Sequence, residues 1–262
     1  MSLRRTALSV SLPCGCLIAA CGGSLPPLRG EIEVGRESYA VFVAGGGAAG
    51  GDLYAVRASG GAVFPLTFTN VGEMRPVLSP DGVMVAFLRG QSLRDSTPGS
   101  VWILNLLNGA DRELPLPKDA GLPVRVGWGS DGRSVVVAAT RGRWRMGAPP
   151  QPPAPLPIGP TERAAAESSL SVLLGAPVFA RVVPCADPDD LCVAADSGSD
   201  EPLARRARDP VRWGPDSVAY FVGGVVEIRP LGPGRARRLD WTAVPPRPRQ
   251  LTMFRGPEGT AE

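Results

Sequence analysis

Mostly apolar runs of four to six residues recur along this chain, each framed by glycine, proline or aspartate. Residues 39–44, 83–87, 101–105, 134–138, 217–221 and 225–228 are such runs. They are too short for helices and rich in valine, so they read as strands between tight turns. Two patterns alternate in register. In one, an apolar run passes through a glycine turn into a second strand. Examples are Asp52-Leu53-Tyr54-Ala55-Val56 to Ser59-Gly60-Gly61, Val101-Trp102-Ile103-Leu104-Asn105 to Asn108-Gly109-Ala110, and Val225-Val226-Glu227-Ile228 to Gly232-Pro233-Gly234. A fainter copy runs from Asp190-Leu191-Cys192-Val193 through Ser197-Gly198 to Pro202-Leu203.

The other pattern precedes these segments. Arg75-Pro76-Val77-Leu78-Ser79-Pro80-Asp81-Gly82, Val124-Arg125-Val126-Gly127-Trp128-Gly129-Ser130-Asp131-Gly132 and Pro210-Val211-Arg212-Trp213-Gly214-Pro215-Asp216 each end in an aspartate turn that opens an apolar run. Proline or serine before Asp-Gly favours a tight turn, and the aspartate caps its own following backbone. Asp81, Asp131 and Asp216 hold equivalent places, 50 and 85 residues apart, and the second interval is close to two repeats. Asp81, Gly82, Asp131, Gly132 and Asp216 are therefore the expected repeat turns. One unit is strand, Asp-Gly turn, strand, loop, strand, glycine turn, strand. Four strands in about 40–50 residues make a propeller blade.

These motifs resemble the repeats of the TolB-like propeller family, best over residues 52–139 and partially as far as Leu239. The resemblance implies an all-β propeller of four-stranded antiparallel blades that works through protein contacts, without catalysis. Blades in that family number six; here residues 31–256 have room for about five, with one degenerate blade, six blades or an incomplete ring left open. Residues 143–174 carry no clear repeat, and 147–160 is proline-dense. An irregular insertion is therefore expected over 147–174, extended and solvated at first, with a short helix over 161–174. Gln250-Leu251-Thr252-Met253-Phe254 is placed to pair with the first blade and close the ring, and residues 257–262 read as a frayed tail.

The first 20 residues read as a secretory signal: Arg4 and Arg5, then a mostly apolar stretch interrupted by Pro13, then Ala19 and Ala20. Leu17-Ile18-Ala19-Ala20-Cys21 resembles a bacterial lipobox. That resemblance implies cleavage before Cys21, lipidation of its thiol and amine, and export to the cell envelope. Several acyl chains suffice for stable anchoring where one is marginal. Gly22 in place of aspartate resembles a signal for the outer membrane. Residues 21–30 then form a tether. Cys14 and Cys16 leave with the signal, so Cys185 and Cys192 remain as a pair in an oxidising compartment, expected to close a turn by a disulfide.

Composition narrows the chemistry. Among 262 residues there is no histidine, which removes the Ser-His and Cys-His nucleophile systems and imidazole metal ligation. Lys118 is the sole lysine among 28 basic residues. Net charge is +3, falling to +1 without Arg4 and Arg5, so no general field for nucleic acid is expected. Arg205, Arg206, Arg208, Arg212, Arg235, Arg237 and Arg238 crowd the C-terminal quarter and read as solvated turn or strand positions. Gly45-Gly46-Gly47-Ala48-Ala49-Gly50 matches G-x-G-x-x-G, but a strand follows it where a dinucleotide site needs a helix N-terminus. It reads as a hairpin loop. Asp187, Asp189 and Asp190 lack the glycine and glutamate of a calcium loop and read as a solvated turn.

The expected function is therefore that of a non-catalytic, envelope-anchored binding scaffold. It is expected to have no cofactor and no metal. Its partners are an unidentified envelope protein or ligand and, through Cys21, the membrane. Interblade loop positions such as Arg94 and Asp95 are the candidate contacts. Two alternatives stay open: a propeller hydrolase or lyase, and a remnant propeller that has lost a sensor or peptidase partner domain.

Overall fold

The computed structural model describes residues 28, 30–46, 50–90, 97–129, 131–151, 155–158, 182–187, 190–193, 201–214 and 216–257. The lipobox cysteine Cys21, the loop residues Arg94 and Asp95, Asp189 and the segment expected to be helical over 161–174 lie outside them. The described residues form twenty strands, arranged in five sheets.

Blade 1 contains β1 (Tyr39–Ala44), β2 (Asp52–Arg57) and β3 (Gly61–Pro65). Blade 2 contains β4 (Glu73–Leu78), β5 (Met84–Gly90), β6 (Pro98–Asn105) and β7 (Asp111–Leu114). Blade 3 contains β8 (Pro123–Trp128), β9 (Ser134–Ala139), β10 (Gly142–Gly147) and β11 (Leu156–Pro157). Blade 4 has, among the described residues, β12 (Val182–Pro184), β13 (Leu191–Val193) and β14 (Glu201–Ala204). Blade 5 contains β15 (Ala207–Arg212), β16 (Ser217–Val222), β17 (Val225–Pro230) and β18 (Arg237–Arg238). The chain then returns to blade 1. β19 (Trp241–Thr242) runs parallel to the outer edge of β3, and β20 (Arg249–Phe254) pairs antiparallel with β1. The last strand thus becomes the innermost strand of the first blade, and the ends of the ring are held by main-chain hydrogen bonds.

The apolar runs acquire a physical reason. A blade's second strand is covered on both faces by neighbouring blades, so it tolerates no polar alternation. All six residues of β1 and all six of β9 are buried. One core cluster joins blades 1 and 2 through Tyr39, Val41, Val85 and Phe87. A second joins blades 1 and 5, with the Phe42 ring stacked on Trp241 at 4.8 Å and edge-on to Phe221 at 6.0 Å. A third joins blades 2 and 3 around fully buried Trp128, and a fourth joins blades 4 and 5 through Leu191, Leu203 and Tyr220. Each fully buried side chain of this size contributes roughly 1.5–3 kcal/mol of transfer free energy.

Single hydrogen bonds tie blade to blade. The Tyr39 hydroxyl of β1 donates to the Gly82 carbonyl in the turn of blade 2. Burial pushes that phenol's ionisation far up, so it remains a donor. The Trp128 indole N–H of β8 donates to the Val77 carbonyl of β4 at 2.9 Å. At the rim, buried Glu73 accepts from Thr67 and from Arg89 at 2.9 Å, and the Arg89 guanidinium lies 4.0 Å over the Trp102 ring.

The structure corrects the expectation of an irregular insertion where residues 147–151 and 155–158 are described. Leu156 and Pro157 pair with Arg145 and Trp144 as the fourth strand of blade 3, and Ile158 is buried. The preceding strand β10 supplies a full third strand where no repeat was legible. Proline permits this because an outer strand needs to donate only along one side. Leu28, within the stretch assigned to the tether, is buried beside Ile32 in the core of blades 1 and 2.

Candidate functional site

The first strand of each complete blade stands at the axis of the ring. β4, β8, β15 and β20 line a channel of about 960 Å³. The preceding turn geometry sets their ends. Asp81 accepts the Val83 amide at 3.0 Å, and Asp131 accepts the amides of Arg133 and Ser134 at 2.9 and 3.0 Å. Gly82 and Gly132 take left-handed φ angles of 67° and 62°. Asp216 holds the corresponding place between β15 and β16. The repeat turns thus sit at one end of the channel wall, where the innermost strand turns out into the blade.

Each wall strand is interrupted by a bulge: between Met74 and Val77, Pro123 and Arg125, Arg208 and Val211, and opposite Val41–Val43 on β20. Three non-glycine residues at these bulges adopt left-handed backbone, Arg75 at φ 54°, Asp209 at 53° and Gln250 at 54°. They are joined in series across blades. The Gln250 amide donates to Asp209 Oδ2 at 2.9 Å, and the Arg75 amide donates to Gln250 Oε1 at 2.6 Å. Left-handed backbone costs a non-glycine residue about 1–2 kcal/mol, so these links hold a strained ring in place. Further along, Thr252 Oγ1 accepts the Leu78 amide at 3.2 Å.

The wall is cationic. Arg75, Arg125, Arg212 and Arg255 line it, against one carboxylate among the described residues, that of Asp209. Burial raises the Asp209 pKa against the opposing Gln250 amide bond and the charges of Arg208 and Arg249. Burial, and then repulsion from Arg125, lower the pKa of Arg75. Arg249 reaches over the β1–β2 loop and donates to the carbonyls of Gly50 at 2.5 Å and Gly45 at 3.4 Å. The glycine-rich segment is therefore met by an arginine at its described ends and leads into the strand β2.

The sequence-derived candidates separate. The repeat turns bound the channel. Cys185 and Cys192 form a disulfide, Cα–Cα 5.1 Å, closing the β12–β13 turn of blade 4. Asp190 ties blade 4 to the connection between β14 and β15, accepting the Arg206 amide at 2.8 Å. Of the C-terminal arginines, Arg212 enters the channel wall, Arg208 donates to the Pro248 carbonyl at 3.0 Å and Arg238 pairs with Glu227 at 2.7 Å. Sequence reasoning did not single out Arg75, Arg125, Asp209, Gln250 or Arg255 as a site. A signal existed: β4 and β8 each carry an arginine at their third position, and the Pro76-Val77 pair of β4 recurs as Pro210-Val211 in β15. Only the ring turns those positions toward one another.

No family model matches the chain. A TolB homologue of Chlorobium luteolum is 31% identical over 91 residues, covering 35% of this chain and 19% of that protein. The chain therefore matches about a fifth of the length of that curated relative. Among solved structures, a chain of a nidogen/laminin complex aligns with 82% of this chain and 98% of its own length, at TM-score 0.50 and 10% identity. TolB of Acinetobacter baumannii aligns over 77% of this chain and 51% of its own, at TM-score 0.34 and 16% identity. The architecture is a β-propeller with TolB-like repeats.

Proposed function

We propose that this chain is a non-catalytic lipoprotein of the bacterial cell envelope whose propeller is a binding scaffold, and that its partner or ligand enters the central channel. The observation that carries this reading is the channel wall. Three innermost strands and the residue that follows β20 present four arginines around a space of ligand size, while the lining carboxylate of Asp209 is tied to a neighbouring backbone amide. Such a wall suits recognition; among the described residues it brings together no paired acid and base for proton transfer. The absence of histidine from the whole sequence points the same way. Support for the envelope comes from the lipobox-like sequence at Cys21 and from the Cys185–Cys192 disulfide, which suits an oxidising compartment.

Two measurements test it. The full chain, expressed in a bacterium with an alkyne fatty acid, should take up the label and sediment with membranes, and Cys21→Ser should abolish both. In situ crosslinking from the channel mouth should capture one reproducible envelope component. Pro80→Trp, a bulky change at an exposed residue of that mouth, should reduce capture at least tenfold. An unlabelled soluble chain would refute the address. Capture indifferent to Pro80→Trp, or turnover of glycan, ester or peptide substrates by the purified chain, would refute the scaffold.

A further inference from the structure

Arg75 and Arg125 come from adjacent blades, β4 and β8, and both are exposed to the channel they line. Each sits at the bulge of its strand. Among the described residues neither guanidinium makes an ion pair: the pairs there are Arg57–Glu37, Arg89–Glu73, Arg89–Asp111 and Arg238–Glu227. The two charges instead oppose each other, since repulsion from Arg125 contributes to lowering the pKa of Arg75. The carboxylate that shares their channel is committed elsewhere: Asp209 accepts the Gln250 amide and has Arg208 and Arg249 beside it.

The backbone aims Arg75. The Arg75 amide is held by Gln250 Oε1, and Gln250 in turn is held by Asp209, so the left-handed bulge that projects Arg75 is braced from two blades away. A guanidinium presents a rigid fork of donors that matches the two oxygens of a carboxylate or phosphate. Two forks facing one space, with no protein carboxylate between them among the described residues, make a receptor for an oxyanion, which would turn mutual repulsion into attraction on both sides. Arg212 and Arg255 lie further along the same wall and extend the favourable field.

We propose that Arg75 and Arg125 together form an oxyanion-binding site in the central channel, taking a carboxylate or phosphate group of the channel's ligand. This rests on the channel being the binding site and names the chemistry it selects. The test uses the full chain extracted in mild detergent at low ionic strength. Inorganic phosphate and citrate are titrated separately, with chloride at matched ionic strength as control, and thermal midpoint and binding heat are read. Saturable binding of either probe above chloride is expected. Preference for citrate would assign the source as carboxylate, and preference for phosphate the reverse. Arg75→Gln and Arg125→Gln should each weaken binding at least tenfold. Arg141→Gln, at the exposed β9–β10 turn, should leave it unchanged. Should Arg75→Gln fail to fold, Arg125→Gln alone decides. Absence of binding above chloride, or binding that survives both substitutions, overturns the proposal. Partner capture that is still blocked by Pro80→Trp in that case would leave the scaffold reading standing.

Discussion

Two glycines occupy the same turn of successive blades, yet the structure assigns them different costs of substitution. Gly82 and Gly132 follow the repeat aspartates and share nearly the same φ, 67° and 62°. A Cβ at Gly132 would find its nearest atoms on Pro80 at 3.8 Å, an ordinary contact. A Cβ at Gly82 would lie 2.5–2.6 Å from Cγ and both Cδ atoms of Phe254. These atoms are at the base of the ring, so a small rotation does not clear them. Gly132→Ala should cost only the left-handed backbone penalty, about 1 kcal/mol. Gly82→Ala should add about 1–3 kcal/mol of overpacking, because Phe254 belongs to the closing strand β20 and is also packed on Tyr39 at 5.6 Å. For a chain of this size 1 kcal/mol moves the melting point by roughly 2–4 °C, so expected losses are about 3 °C for Gly132→Ala and about 6–12 °C for Gly82→Ala. Urea unfolding and calorimetry of both variants provide the comparison, with Phe254→Ala closing a double-mutant cycle. Combined with Phe254→Ala, the cost of Gly82→Ala should fall to that of Gly132→Ala. Equal losses for the two glycines, or no coupling between positions 82 and 254, would refute the role of Phe254 as the wedge that closes the ring.

Two further outcomes follow from other parts of the structure. Burial raises the pKa values of Glu73 and Asp209. A carboxyl whose folded pKa exceeds its unfolded value stabilises the native state below the unfolded pKa, near 4, and loses that contribution as pH rises through the folded value. Asp209→Asn keeps an acceptor for the Gln250 amide, so its melting point should vary less than wild type from about pH 4 to pH 7; a steeper dependence would contradict the assignment. Reduction of Cys185–Cys192, or its double replacement by serine, releases a loop of sequence separation 7, worth about 2.5 kcal/mol by the chain-entropy relation. Hydrogen exchange should rise first in β12 and β13, and unchanged protection there would show that blade 4 does not depend on the bridge.

Sequence alone was enough for the parts whose physics is local. An Asp-Gly turn is stabilised within three or four residues, so Asp81 and Asp131 announce themselves, and repeating that turn with four strands per unit names the blade. Apolar runs without alternation, such as 39–44 and 134–139, already imply burial on both faces. The disulfide partners were legible by elimination, being two cysteines seven residues apart. Tertiary structure alone decided what depends on distant encounters. Residues 250–254 were legible as the closing strand, but not the bulged register in which β20 meets β1 from some two hundred residues away, and Leu156-Pro157 becomes a strand because β10 offers it an edge. Arg75, Arg125, Asp209 and Gln250 look like unrelated surface residues in a linear chain. They form one lined space because the blades turn every innermost strand toward a shared axis, and the electrostatic energy of such a group depends on separations that only the closed ring sets.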